Sequence, residues 1–129
     1  MVHIAAQGMK KLPAVFYRTA SAGEPVRDWL ISEKLTDKDR RLIGRDIAKV
    51  EFGWPVGMPT CEPLGHGLFE IRTDLPNNRI ARILFCISEE SMVLLHGFIK
   101  KSTDGTKTPR RAIDLARERH EDMKGRNRK

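Results

Sequence analysis

Two short turns constrain this chain more than any other feature, because they join the three most strand-like runs in it. In residues 68–74, Phe69, Ile71 and Thr73 alternate with Glu70, Arg72 and Asp74, the period of a half-buried strand. Leu75-Pro76-Asn77-Asn78 has turn composition. Residues 79–87 form a second run, with Ile83, Phe85 and Ile87 on one face and Ile80, Arg82, Leu84 and Cys86 on the other. Ser88-Glu89-Glu90-Ser91 is the next turn. Residues 92–99 are almost continuously apolar, which predicts a central strand covered on both faces. Strands linked this closely pair antiparallel, so the expected core is a meander.

The flanks supply the covering helices. Residues 12–18, LPAVFYR, read as a first strand, with Pro13 placing its start at a sheet edge. Pro25 suits the first position of a short helix whose apolar face is Val26, Trp29 and Leu30. Thr36 can cap a second helix, with Asp37 and Asp39 in its first turn. Ile43, Ile47 and Val50 form its inward stripe, and Arg40, Arg41, Arg45 and Lys49 are expected to face outward. Gly53 and Pro55 end it. Residues 53–67, GWPVGMPTCEPLGHG, read as an ordered loop. Thr108 and Pro109 cap and open a last helix with Ala112, Leu115, Ala116 and Met123 on its apolar face. The expected architecture is α+β: a small mixed, mostly antiparallel sheet in the order β-α-α-β-β-β-α. A length of 129 residues is expected to make one domain over 1–129, with 1–9 as an extension and 124–129 as a basic tail.

Such a chain buries about two-thirds of its unfolded surface, so it needs no disulfide or metal to fold. Cys61 and Cys86 stand outside any CxxC and read as two reduced thiols. No run of about 18 apolar residues spans a membrane, and the N-terminus lacks signal-peptide organisation, so a cytoplasmic protein is expected. The chain contains no GxxxxGK[ST], GxGxxG, GxSxG or HExxH, and nothing in it suggests a cofactor or metal.

The net charge of +7 points to a polyanionic partner. The charge is concentrated late: residues 100–129 carry eleven Lys/Arg against five Asp/Glu. Arg72 and Arg82 interrupt half-buried strands, where arginine is costly unless it is paired or lines a cleft. Arg72 could pair with Glu70 or Asp74, and Arg82 with a helix carboxylate. With Lys100 and Lys101 leaving the adjacent strand, the set also reads as a concave cationic patch, and guanidinium forks hold phosphates well. RNA carries its own nucleophile, the 2′-hydroxyl, so a cleft that aligns it and stabilises the phosphate can cleave without metal. Plain RNA binding fits the same residues.

The segments GLFEIR, RIARILFCI and LLHGFIKK followed by KTPRRAIDLAR resemble the phage-derived HigB-type toxins of the RelE superfamily. The resemblance covers roughly residues 12–123. It implies the RelE-like microbial RNase fold, a small antiparallel sheet with two helices on one side and a cleft on the open side. The implied function is the toxin of a type II toxin–antitoxin pair, an endonuclease that cuts mRNA in the ribosomal A site. The implied partners are that mRNA and a helix-turn-helix antitoxin of HigA type. Carried over by motif, Arg72, Arg82 and Lys101 are the expected catalytic residues. Arg79, Lys100, Lys107 and Arg110 are expected to bind RNA. Many members have a catalytic Tyr or His near the C-terminal end. Here the only tyrosine is Tyr17 in the first strand, and the last helix offers His120. The candidates for proton transfer are therefore His66 and His96, although His96 lies in an apolar strand and His66 in a loop. The alternative function is a non-catalytic basic module of phage origin that binds RNA or an antitoxin. A weaker one is a phage structural protein.

Overall fold

The structure is a computed structural model, and it describes residues 9–105 and 107–127. Five strands form one mixed sheet: β1 (Ala14–Phe16), β2 (Cys61–Gly65), β3 (Leu68–Leu75), β4 (Arg79–Ser88) and β5 (Ser91–Lys101). Their order across the sheet is β1-β5-β4-β3-β2. β1 pairs with β5 in parallel, and every other pair is antiparallel. Helices α1 (Pro25–Leu30) and α2 (Asp37–Gly53) lie between β1 and β2 in the chain, and α3 (Arg110–Asn127) follows β5. This is a small α+β fold with three helices.

The three tightly linked strands are β3, β4 and β5; β4 is the middle strand, and β5 lies inside the sheet between β1 and β4, covered on both faces as expected. Its Met92 and Leu94 enter one core while Val93 and Leu95 enter another. The first core packs Val26, Leu35, Ile43 and Val50 against Ile71, Ile83 and Phe85. Trp54 meets Phe69 and Phe85 edge-on, with ring centroids 5.1 and 5.9 Å apart. The second core packs Ala116, Ile113 and Met123 of α3 against Leu68, Leu84 and Cys86. A shift in the β4–β5 register between Leu84 and Phe85 brings His96 opposite Leu84, on the α3 face.

The helix starts follow from local chemistry. Thr36 accepts from the Asp39 amide, and the Asp39 carboxylate accepts from the Thr36 amide, a full capping box at the start of α2. Arg40 does not simply face outward. Its Nη1 donates to the carbonyls of Leu30, Ser32 and Leu35, which ties the end of α1 to α2.

Three expectations need correction. The stretch 53–67 is not all loop: residues 61–65 form β2, an edge strand against β3. Pro63 is tolerated there because an edge strand needs no donor on its outer side. The order is therefore β-α-α-β-β-β-β-α. The last helix also runs on through Asn127 where a basic tail was expected. Arg126 pairs with Asp122 one turn back and lies over the Tyr17 ring, so the extra turn is anchored. Finally, the sheet face opposite α1 and α2 is not open, because α3 covers much of it. The expected extension 1–9 lies outside the described residues except for Met9, as do positions 128–129 of the tail.

Candidate functional site

Strand alternation puts Glu70, Arg72 and Asp74 of β3 on the α3 face. In the register, Arg72 lies directly opposite Arg82 on β4. Glu62 of β2 pairs with Glu70 on the same face. Two arginines and two glutamates thus meet on three adjacent strands. Their formal charges cancel, which lets them share a half-buried site.

The contacts are specific. Arg72 Nε donates to Glu70 Oε1 at 2.8 Å, and Arg72 Nη2 donates to Glu62 Oε2 at 2.7 Å. Arg82 Nη1 lies 3.6 Å from Glu70 Oε1 and 3.4 Å from the Thr108 hydroxyl. That hydroxyl donates to Glu70 Oε2 at 2.8 Å. Thr108 precedes α3, so the approach of the last helix completes the cluster. Arg82 and Glu70 are both 0% exposed. The Arg72 and Glu62 side chains keep 20% and 27% of their surface. Burial pushes the Arg82 guanidinium below its usual value, with Glu70 opposing that and Arg72 adding to it. Its Nε and Nη2 have no hydrogen-bond partner among the described residues.

Above the cluster is a cleft of about 610 Å³. Its walls are β2, through Glu62, Pro63 and Leu64, and the start of α3, through Lys107, Thr108 and Ile113. Arg72 reaches it from β3, and Met58 also lines it. The exposed part of the site is therefore Arg72, Glu62 and Lys107, with Arg82 behind them.

The expected site residues divide into two groups. Arg72, Arg82 and Lys107 meet at this cleft. Lys100 is on the same sheet face, opposite Ile80, and its Nζ donates to the Lys107 carbonyl. Arg110 is exposed in the first turn of α3, 3.9 Å from Asp114. Lys101 is opposite Arg79 and points to the other face, where it is exposed. Arg79 is also on that face. Its two Nη atoms bind Asp39 at 2.9 Å each, a bidentate pair that docks β4 on α2. His66 sits in the β2–β3 turn at φ 55°, and four residues of strand, about 13 Å, separate Leu68 from Arg72. His96 stacks on Phe98 and lines a separate cleft against Ala112 and Leu115. Burial pushes the His96 imidazole down, and Arg119 pushes it further.

The expected Arg72–Glu70 pair is present, but Arg82 takes the same strand carboxylate and not a helix one; Glu62 was missed as a member of the site, and Thr108 was read only as a cap. Glu70 was visible in the alternation beside Arg72. Glu62 was hidden because its strand has five residues, a proline and a terminal glycine. Among the described residues, no three His, Cys, Asp or Glu side chains are grouped to hold a metal ion. Cys61 and Cys86 are free and buried in different cores, and burial pushes each thiol up to about 11.

Together these features define a small α+β protein with a charged cleft on one face of its sheet. Residues 30–121 match the family model described as "Phage derived protein Gp49-like (DUF891)". That is more than half of the chain, from the end of α1 into α3, and the chain belongs to this phage-derived family, a RelE/HigB-like toxin family. No curated protein matches it. No helix among the described residues is long and apolar enough to cross a membrane.

Proposed function

We propose that this protein is the toxin of a type II toxin–antitoxin system, acting in the cytoplasm as a ribosome-dependent mRNA endonuclease on a RelE-like fold. The observation that carries the reading is the Arg72–Arg82 pair, held side by side on β3 and β4 by Glu70 at the base of a cleft. Membership in the Gp49-like family supports it. In this reading Arg72 binds a non-bridging oxygen of the scissile phosphate. Arg82, fixed behind it, adds positive potential without reaching solvent. Both stabilise the charge that builds on the phosphate during in-line attack by the 2′-hydroxyl. Lys107, Lys100 and Arg110 lead the RNA backbone along the start of α3, and Lys101 and Arg79 meet RNA or ribosome only from the other face. A helix-turn-helix antitoxin would silence the protein.

The test is induced expression with mapping of mRNA 5′ ends, for the wild type and Arg72→Ala. Growth arrest with cuts phased to codons is expected from the wild type and not from the variant. A folded, expressed wild type that leaves growth and messages unchanged would end this reading.

A second reading is a non-catalytic module that grips RNA or an antitoxin through its basic surface. The neutralised cluster favours it, since Glu62 and Glu70 offset the two arginines. It predicts salt-sensitive RNA binding with no cleavage on ribosomes.

A further inference from the structure

The start of α3 separates two clefts. Lys107 and Thr108 line the one that Arg72 reaches. The other holds about 580 Å³ and is lined by His96, Phe98, Pro109, Arg111, Ala112 and Leu115. Its lining is mostly apolar, includes no carboxylate among the described residues, and carries one charged group, the exposed Arg111. His96 and Phe98 stack with centroids 5.4 Å apart and planes 22° from parallel, and both stay half-buried. β1 pairs with β5 only at residues 92–94, so no strand covers the β5 edge beside this pair. Burial, with Arg119 assisting, keeps the His96 imidazole neutral at pH 7.

We infer that the His96–Phe98 cleft is a base-binding subsite, taking one unpaired base of the RNA strand whose phosphate Arg72 holds; this rests on the RNA-binding part of the proposed function. Register ties the two clefts together. Arg72 pairs with Arg82, and Arg82 with Phe98, in one row across β3, β4 and β5. Two strand spacings put Phe98 about 10 Å from Arg72, within reach of a flanking nucleotide. Every base has a π-face, so an aromatic pair in an apolar cleft holds one without reading its sequence. A duplex keeps its bases stacked on one another and cannot fill the cleft, so the subsite selects single strands. An apolar side chain of a partner protein would also suit these walls. The charge favours RNA: Arg111 lines the cleft, and Lys107 and Arg110 flank Pro109 in the chain, so a base entering here brings its phosphates onto cations.

The experiment compares binding of the full chain to short single strands: oligouridylate, and an abasic strand with the same number of phosphates. Wild type should bind the base-bearing strand about tenfold or more tighter. Phe98→Leu, checked for an intact thermal transition, keeps an apolar side chain but loses the π-face. It should shrink the preference to under about threefold while leaving the salt dependence of binding unchanged. Near-ultraviolet crosslinking of wild type to oligouridylate carrying 4-thiouridine should label His96 or Phe98. Equal binding of the two strands by wild type, or a folded Phe98→Leu that keeps the full preference, overturns the subsite. Crosslinks only outside this cleft overturn it too, even if Phe98→Leu does not fold. Cleavage of messages on ribosomes decides the nuclease reading separately. A wild type that favours bases and cuts nothing keeps the subsite and ends that reading, and one that cuts without favouring bases does the reverse.

Discussion

Arg72 and Arg82 face each other across two strands, yet their surroundings give them different jobs. Arg82 is enclosed, with Glu70 as its counter-charge. Removing it leaves a buried carboxylate short of compensation, so Arg82→Ala should cost about 3 kcal/mol of stability in chemical denaturation. A loss under about 1 kcal/mol would show that the cluster is not held together by charge. Arg82→Ala is for that reason a poor probe of activity, and Arg72→Ala is the cleaner one. Alternation along the strands placed both arginines on their correct face. Their partners were harder to read, because Glu62 comes from a strand with little strand signal and Thr108 from a helix start whose docking is a tertiary event. Lys100 and Lys101 show the reverse: adjacent residues on a strand face opposite ways, so the two lysines do not share one patch.

Asp39 shows the same residue-scale logic on the other face. Its hydrogen bonds from Arg79 hold the carboxyl below the usual carboxylate range, with burial opposing and the Thr36 amide assisting. A carboxyl depressed in the folded state stabilises the protein above its unfolded value near 4 and loses that contribution as pH falls through the folded value. Asp39→Asn should therefore cost about 1–2 kcal/mol at neutral pH through lost charge-assisted hydrogen bonds. It should also flatten the fall in Tm below pH 4, and an unchanged acid limb would exclude Asp39 as its source.

Among the elements, β3, β4, β5, α1 and α2 were legible because each follows one period and is bounded by turn or cap residues. β2 was not, since a five-residue edge strand offers too few alternations to outweigh its proline and terminal glycine. The union of α1 with the sheet was also hidden. It depends on Gly97, where a Cβ would lie 2.5 Å from Trp29 Cε3. The Trp29 ring packs this close to β5 only because that position has no side chain. Gly97→Ala should push Trp29 outward and cost about 1–3 kcal/mol, with a change in tryptophan fluorescence reporting the shift. A variant with wild-type stability and emission would mean that α1 is not seated by this contact.

For the molecule as a whole, the +7 charge is not concentrated at the cluster, where charges cancel, but spread over exposed cations such as Lys107, Arg110 and Arg111. Under the proposed function, affinity for RNA should thus fall steeply with salt, while cleavage of already bound message should change little. Measuring both between 50 and 200 mM salt separates the two, and equal sensitivity would mean that the steering and cutting residues are the same.

Synthesis of the chain gives the placement of Thr108 another consequence. β1 must wait for residues 92–94 before it can pair, and Arg82 must wait for Thr108. A nascent chain emerges N-terminus first, so the cleft is assembled only when nearly all of it has left the ribosome. Under the proposed nuclease reading, such a chain gains its cleft only after it has left the ribosome that made it.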